Sequence, residues 1–93
     1  MIQTILELHD TLGTEYYFVS VSITNHQMKL TSLNSCCKYL DKTVDLTQLS
    51  DVTQQDNPCS LSFLYDTENY CFVDYGNAVV DYIQQQIPAV LHR

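Results

Sequence analysis

The hydrophobic pattern of this chain changes period once, at Gly76, and that single change limits the fold more than any other feature. Before it, apolar residues alternate with polar ones in short runs, the mark of half-buried strands. After it, Val79, Val80, Ile83, Ile87, Val90 and Leu91 recur on one side of a helix, with Asp81, Gln84 and Gln85 facing away. The clearest strand is residues 15–24, with Tyr17, Val19, Val21 and Ile23 on one face and Phe18, Ser20, Ser22 and Thr24 on the other. Asn25-His26 reads as a hairpin turn into residues 27–33, where Met28 and Leu30 alternate. Ile2, Leu6 and Leu8 share a parity over residues 2–9, followed by a turn at residues 10–14.

Further on, residues 34–41 read as a bend leading into a strand over 37–40, and residues 43–46 as another short strand. Residues 59–66 carry Leu61, Phe63 and Tyr65 on one face, and a four-residue hairpin joins them to residues 69–75, where Tyr70 and Phe72 fall together. Residues 51–55 are polar on both faces, which predicts an edge strand that a partner rather than the core would cover. The helix is expected over residues 77–87, with Asn77 as N-cap and a kink or early end at Pro88, whose ring would crowd the Gln84 carbonyl.

Ninety-three residues make one domain, spanning 1–93, and 45% hydrophobic against 16% charged residues is enough apolar material for a core. So small a core leaves no room for a deep substrate cavity. The formal charge of −7 would repel nucleic acid and anionic lipid, and Lys29, Lys38 and Lys42 read as solvated surface lysines. Cys36, Cys37, Cys59 and Cys71 read as reduced thiols: adjacent residues on a strand point to opposite faces, and there is no C-x-x-C spacing for zinc. The apolar residues Ile2, Ile5, Leu6 and Leu8 are interrupted by Gln3, Thr4 and Glu7, so no secretory signal is expected, and no run is of membrane-spanning length. His9, His26 and His92 are not framed by a Gly-rich elbow or a carboxylate pair. The expectation is therefore a non-enzyme without cofactor or metal, in the cytoplasm, reaching the inner face of the plasma membrane or the cytoskeleton through partners.

Six or seven short strands followed by one amphipathic helix resemble the pleckstrin-homology superfold, most of all in the last third, where Cys59 to Tyr65, a turn, Tyr70-Cys71-Phe72-Val73-Asp74 and the helix follow in that superfold's closing order. Within it the chain is most similar to the F3 lobe of a talin-type FERM domain, itself similar to phosphotyrosine-binding (PTB) domains. That resemblance implies a mainly β fold: a seven-stranded antiparallel sandwich capped by the C-terminal helix. Two departures count against lipid headgroup binding. Tyr82 stands near the place of the closing-helix Trp, and the Asp10 to Glu15 segment has two acids and no base.

The resemblance also implies a peptide site between the fifth strand and the helix. Strand addition needs an open edge, which Asp51, Val52, Thr53, Gln54 and Gln55 are expected to supply. Ala78, Tyr82 and Gln86 are expected to form the facing flank, with room for a guest, a flat ring and an amide that bonds either way. The function expected is a scaffold or adaptor lobe that binds a short protein segment such as a receptor's cytoplasmic tail. The alternatives are a membrane- or phosphoinositide-docking module, which the charge opposes, and a structural lobe packed on sister domains, which a long apolar patch away from the groove would favour.

Overall fold

The computed structural model describes residues 2–33, 40–56, 59–76 and 78–87. Seven strands and one helix are seen among them: β1 (Ile2–Asp10), β2 (Gly13–Thr24), β3 (Gln27–Ser32), β4 (Asp41–Asp45), β5 (Ser50–Asp56), β6 (Cys59–Tyr65), β7 (Glu68–Val73) and α1 (Val79–Gln84). All strand pairs are antiparallel, and the order is β4-β3-β2-β1-β7-β6-β5 in a single sheet. The layers expected of a sandwich are thus one continuous curled sheet in which β1 sits at the centre, pairing with β2 along its whole length and with β7 over Leu6 to His9. Seven antiparallel strands closed by a C-terminal helix are compatible with a pleckstrin-homology or PTB-like fold.

The alternation read from the sequence decides which face is inside. Leu6, Leu8, Val19, Val21, Met28, Leu30, Val44, Leu61, Phe63, Tyr70 and Phe72 line the concave face, and Val79, Val80, Ile83 and Ile87 close its mouth. Phe63 stacks on Tyr70 at 5.4 Å between ring centres, and Tyr65 meets Tyr70 edge-on at 6.4 Å. Burial among these rings holds the Tyr70 hydroxyl far above its ordinary pKa, with Glu68 adding to the shift. From the other half of the sheet Lys42 reaches Glu68 at 2.5 Å, which ties edge strand β4 to the β6–β7 hairpin.

Two hairpins are two-residue turns with both central residues at positive φ: Asn25 and His26 (52° and 62°), and Asp66 and Thr67 (50° and 68°). This backbone matches the right-handed strand twist. The second was expected as a four-residue connection, but Tyr65 already pairs with Glu68. At the β1–β2 turn the Asp10 carboxylate accepts from the Leu12 N–H at 2.8 Å, a local bond that reverses the chain before Gly13.

The expectation for the helix changes at both ends. The helix is shorter than residues 77–87: it starts after Ala78, which sits at φ 60°, and passes at Gln86 and Ile87 into tighter bonds to Ile83 and Gln84. An end ahead of Pro88 follows from the restriction that a proline places on the residue before it. Asn77, Pro88, Cys36, Cys37 and residues 37–39 of the strand expected at 37–40 lie outside the described residues, while Leu40 is buried ahead of β4 and not part of a strand. Lys29 stands on the outer face of β3 while Lys42 points to Glu68, so those two lysines form no common patch.

Candidate functional site

Strand β5 ends the sheet, and β6 is its one strand neighbour among the described residues. Its residues are exposed from Ser50 to Asp56 apart from Val52, which packs against the core. In an antiparallel ladder, successive residues turn their N–H and C=O alternately toward the neighbour and away from it. Because the Cys59 carbonyl accepts from the Asp74 N–H on the β7 side, the next residues Ser60 and Ser62 turn theirs to Gln55 and Thr53. Gln54 and Asp56 therefore turn theirs to the open edge. The register slips between Ser50 and Thr53, with Asp51 at φ 51° and the Thr53 hydroxyl donating to the Asp51 carbonyl at 3.3 Å. A bulge of this kind bends a strand and interrupts pairing. The usable edge is therefore the short segment from Val52 to Asp56.

Side-chain parity splits this segment. Thr53 and Gln55 lie across from Ser62 and Ser60 on the outer face, while Gln54 and Asp56 lie across from Leu61 and Cys59 on the helix side. There the Gln54 amide oxygen accepts from the Gln84 amide of α1. The Cys59 thiol is held above its ordinary pKa, first by burial and then by the charges of Asp74, Asp81 and Asp56. The flank between β5 and α1 is thus two glutamine amides with three carboxylates gathered round a thiol.

The five expected strand residues, Asp51, Val52, Thr53, Gln54 and Gln55, do fall together on this edge. The three expected helix residues do not join them. Tyr82 turns to the far side of the sheet, where its hydroxyl accepts from the Ile23 N–H at 3.0 Å, and the Gln86 carbonyl accepts from His26 Nδ1 at 2.8 Å. Ala78 is exposed at the head of the helix. The expected flank lies on the side of the helix away from β5: at 100° per residue Tyr82 and Gln86 lie to one side of the core stripe and Gln84 to the other. Gln84, expected to face away, makes the contact with β5. Polar or aromatic residues stand on both sides of the stripe, so hydrophobic period alone could not choose between them.

A second polar constellation lies on the outer face of β1 and β2. Glu7 and His9 are joined at 2.7 Å through Nε2, and Nδ1 of His9 meets the Thr14 hydroxyl at 2.7 Å. Carboxylate, imidazole and hydroxyl follow in the order of an acyl-transfer triad. Such chemistry also requires a bounded space and donors for a developing oxyanion. Thr14 is exposed, and no cavity is found among the described residues. Of the two bonds, the one between His9 and Thr14 joins β1 to β2. Cys59 and Cys71 are free thiols, and no cluster of metal-ligating side chains occurs among the described residues.

No helix among the described residues is long and apolar enough to cross a membrane. No family model, curated protein or solved structure matches the chain.

Proposed function

We propose that this chain is a non-catalytic interaction module of the FERM F3 or PTB kind, which takes a short extended protein segment by adding it as a strand to β5. One observation carries this reading: β5 closes the sheet order with an exposed, polar edge that no other described strand covers. Main-chain bonds to Gln54 and Asp56 would supply affinity that is largely independent of sequence. Selectivity would come from the helix side, where Gln54 and Gln84 offer amides and Asp56, Asp74 and Asp81 offer charge. Such a flank favours a neutral or basic segment, and the single arginine of the chain, Arg93, gives no cluster for a phosphotyrosine. In a scaffold or adaptor the segment would be a receptor's cytoplasmic tail or a similar extended sequence.

The test is a chemical-shift titration with two peptides that share an alternating Val/Thr centre, one flanked by Lys and the other by Glu. The Lys peptide should shift β5 and the Gln84 side of α1, the Glu peptide should bind more weakly, and Gln54→Pro should abolish both effects. Shifts confined to surfaces remote from β5 would overturn the assignment. A second reading, a structural lobe packed on sister domains, is favoured by a different observation: a row of exposed apolar residues on the outer face of the sheet.

A further inference from the structure

That row crosses four strands. Phe18 lies opposite Ile5 in the β1–β2 register, and the Leu33 N–H bonds to the Phe18 carbonyl at 2.9 Å, which carries the row onto the end of β3. Continuing the β1–β7 register past Leu6 and Phe72 puts Val73 on the other side of Ile5. The order is Leu33, Phe18, Ile5, Val73. The first three are 41%, 48% and 45% exposed, and Tyr16, next along β2, is 66% exposed. Outward-facing strand positions are where a monomeric sheet places polar residues, so four large apolar side chains in this arrangement call for a covering surface.

We infer that the outer face of β1 and β2 is a self-association surface that receives a second copy of the same face. The order of the row supports this occupant. A two-fold axis running parallel to the strands, between β1 and β2, reverses the row on the second copy. Leu33 then lies over the partner's Val73 and Phe18 over the partner's Ile5, each larger group on a smaller one, and each contact occurs twice as an isologous interface demands. The same operation sets Tyr16 over the partner's Glu7, since Tyr16 and Glu7 are opposed in the register. The tyrosine hydroxyl there has a carboxylate to donate to.

Area gives the second argument. At ~200 Å² per large side chain, the four exposed fractions leave on the order of 400 Å² of apolar surface. This is about half of the ~800 Å² that each partner contributes to a stable interface. The polar neighbours Thr31, Cys71 and Ser62 would furnish the rim. Charge sets the character of the contact: two chains of formal charge −7 repel at long range, while within the patch the one charged side chain is Glu7. Self-association should therefore strengthen as salt screens the repulsion, the opposite of what a basic partner would do.

Sedimentation velocity of the whole chain over a concentration series, at low and high salt, tests this. The expected result is a monomer–dimer equilibrium that salt strengthens and that Phe18→Asp weakens by about tenfold or more, as truncating a central anchor does. Phe18→Ser and Ile5→Ser provide the same reading should Phe18→Asp lose its circular dichroism spectrum. Gln54→Pro should leave the dimer unchanged. Monomer at every concentration and salt would overturn the inference and return the row to a sister domain. A dimer broken by Gln54→Pro but not by Phe18→Ser would overturn it equally, since the copies would then be pairing through β5.

Discussion

The Tyr82 hydroxyl accepts a hydrogen bond from the backbone N–H of Ile23 at 3.0 Å, joining the closing helix to the far end of β2. Thr24 and Gln27 flank a two-residue turn and exchange ladder bonds, so the Ile23 N–H points away from β3. β1 cannot receive it, because its register opposes Ile2 to Val21 and runs no further among the described residues. A partly buried donor at the end of a sheet needs an acceptor, and here a tyrosine provides it. Tyr82→Phe should cost about 1–3 kcal/mol, the penalty for leaving such a donor unpaired, when read by urea denaturation. Affinity for a β5 ligand should not change, whereas a drop in affinity at unchanged stability would put the ring back in the ligand site.

Thr4 gives an effect of opposite sign. Its side chain sits on the core face of β1, 3% exposed, and its hydroxyl has no hydrogen-bond partner among the described residues. Thr4→Val keeps the branched shape and removes the orphan oxygen, so the denaturation midpoint should rise by the equivalent of roughly 1–2 kcal/mol. A fall would mean that the hydroxyl is paired in solution.

At the β6–β7 turn, Thr67 holds φ 68°, a conformation that crowds a branched side chain. Glycine meets no such crowding, and Asp-Gly is a favoured pair for this turn. Thr67→Gly should stabilise the protein by about 1 kcal/mol, measured as a rise in Tm with the hairpin's cross-strand contacts retained by NMR.

Cys59 links the candidate groove to pH. Its thiol stands above the ordinary value of 9.0, by burial first and then by Asp74, Asp81 and Asp56. A raised thiol holds its proton more tightly folded than unfolded. Its contribution to stability is complete below the ordinary thiol pKa and is lost as pH rises through the folded one. Because the thiolate is the reactive form, iodoacetamide should label native Cys59 more slowly than the unfolded chain around pH 9.0. Asp81→Asn should speed the native reaction; an unaltered rate would remove Asp81 from the neighbourhood of the thiol.

The strands were legible because each is short, alternating and bounded by turn residues. The edge position of residues 51–55 could be read because a polar strand has nothing to bury. The β5 side of the helix could not. Tyr82 and Gln84 stand on opposite sides of one apolar stripe, and the donor that captures Tyr82 is the backbone of Ile23, a group that every residue but proline carries. The outer row was hidden for a related reason. Phe18 and Ile5 are unremarkable within their own strands, and only the register sets them side by side.

The central place of β1 bears on how the chain forms as it leaves the ribosome. Its β2 partner emerges at once, but Leu6 must wait for Phe72 before its other side is covered. Throughout that interval the middle strand of the finished sheet is an outermost one, with unpaired backbone groups and an apolar flank available to any other chain. Anything that delays β7, such as a pause in translation or a weakened β6–β7 hairpin, lengthens the exposure. The yield of correctly folded protein should therefore respond to the stability of that hairpin more strongly than the equilibrium stability of the native state does.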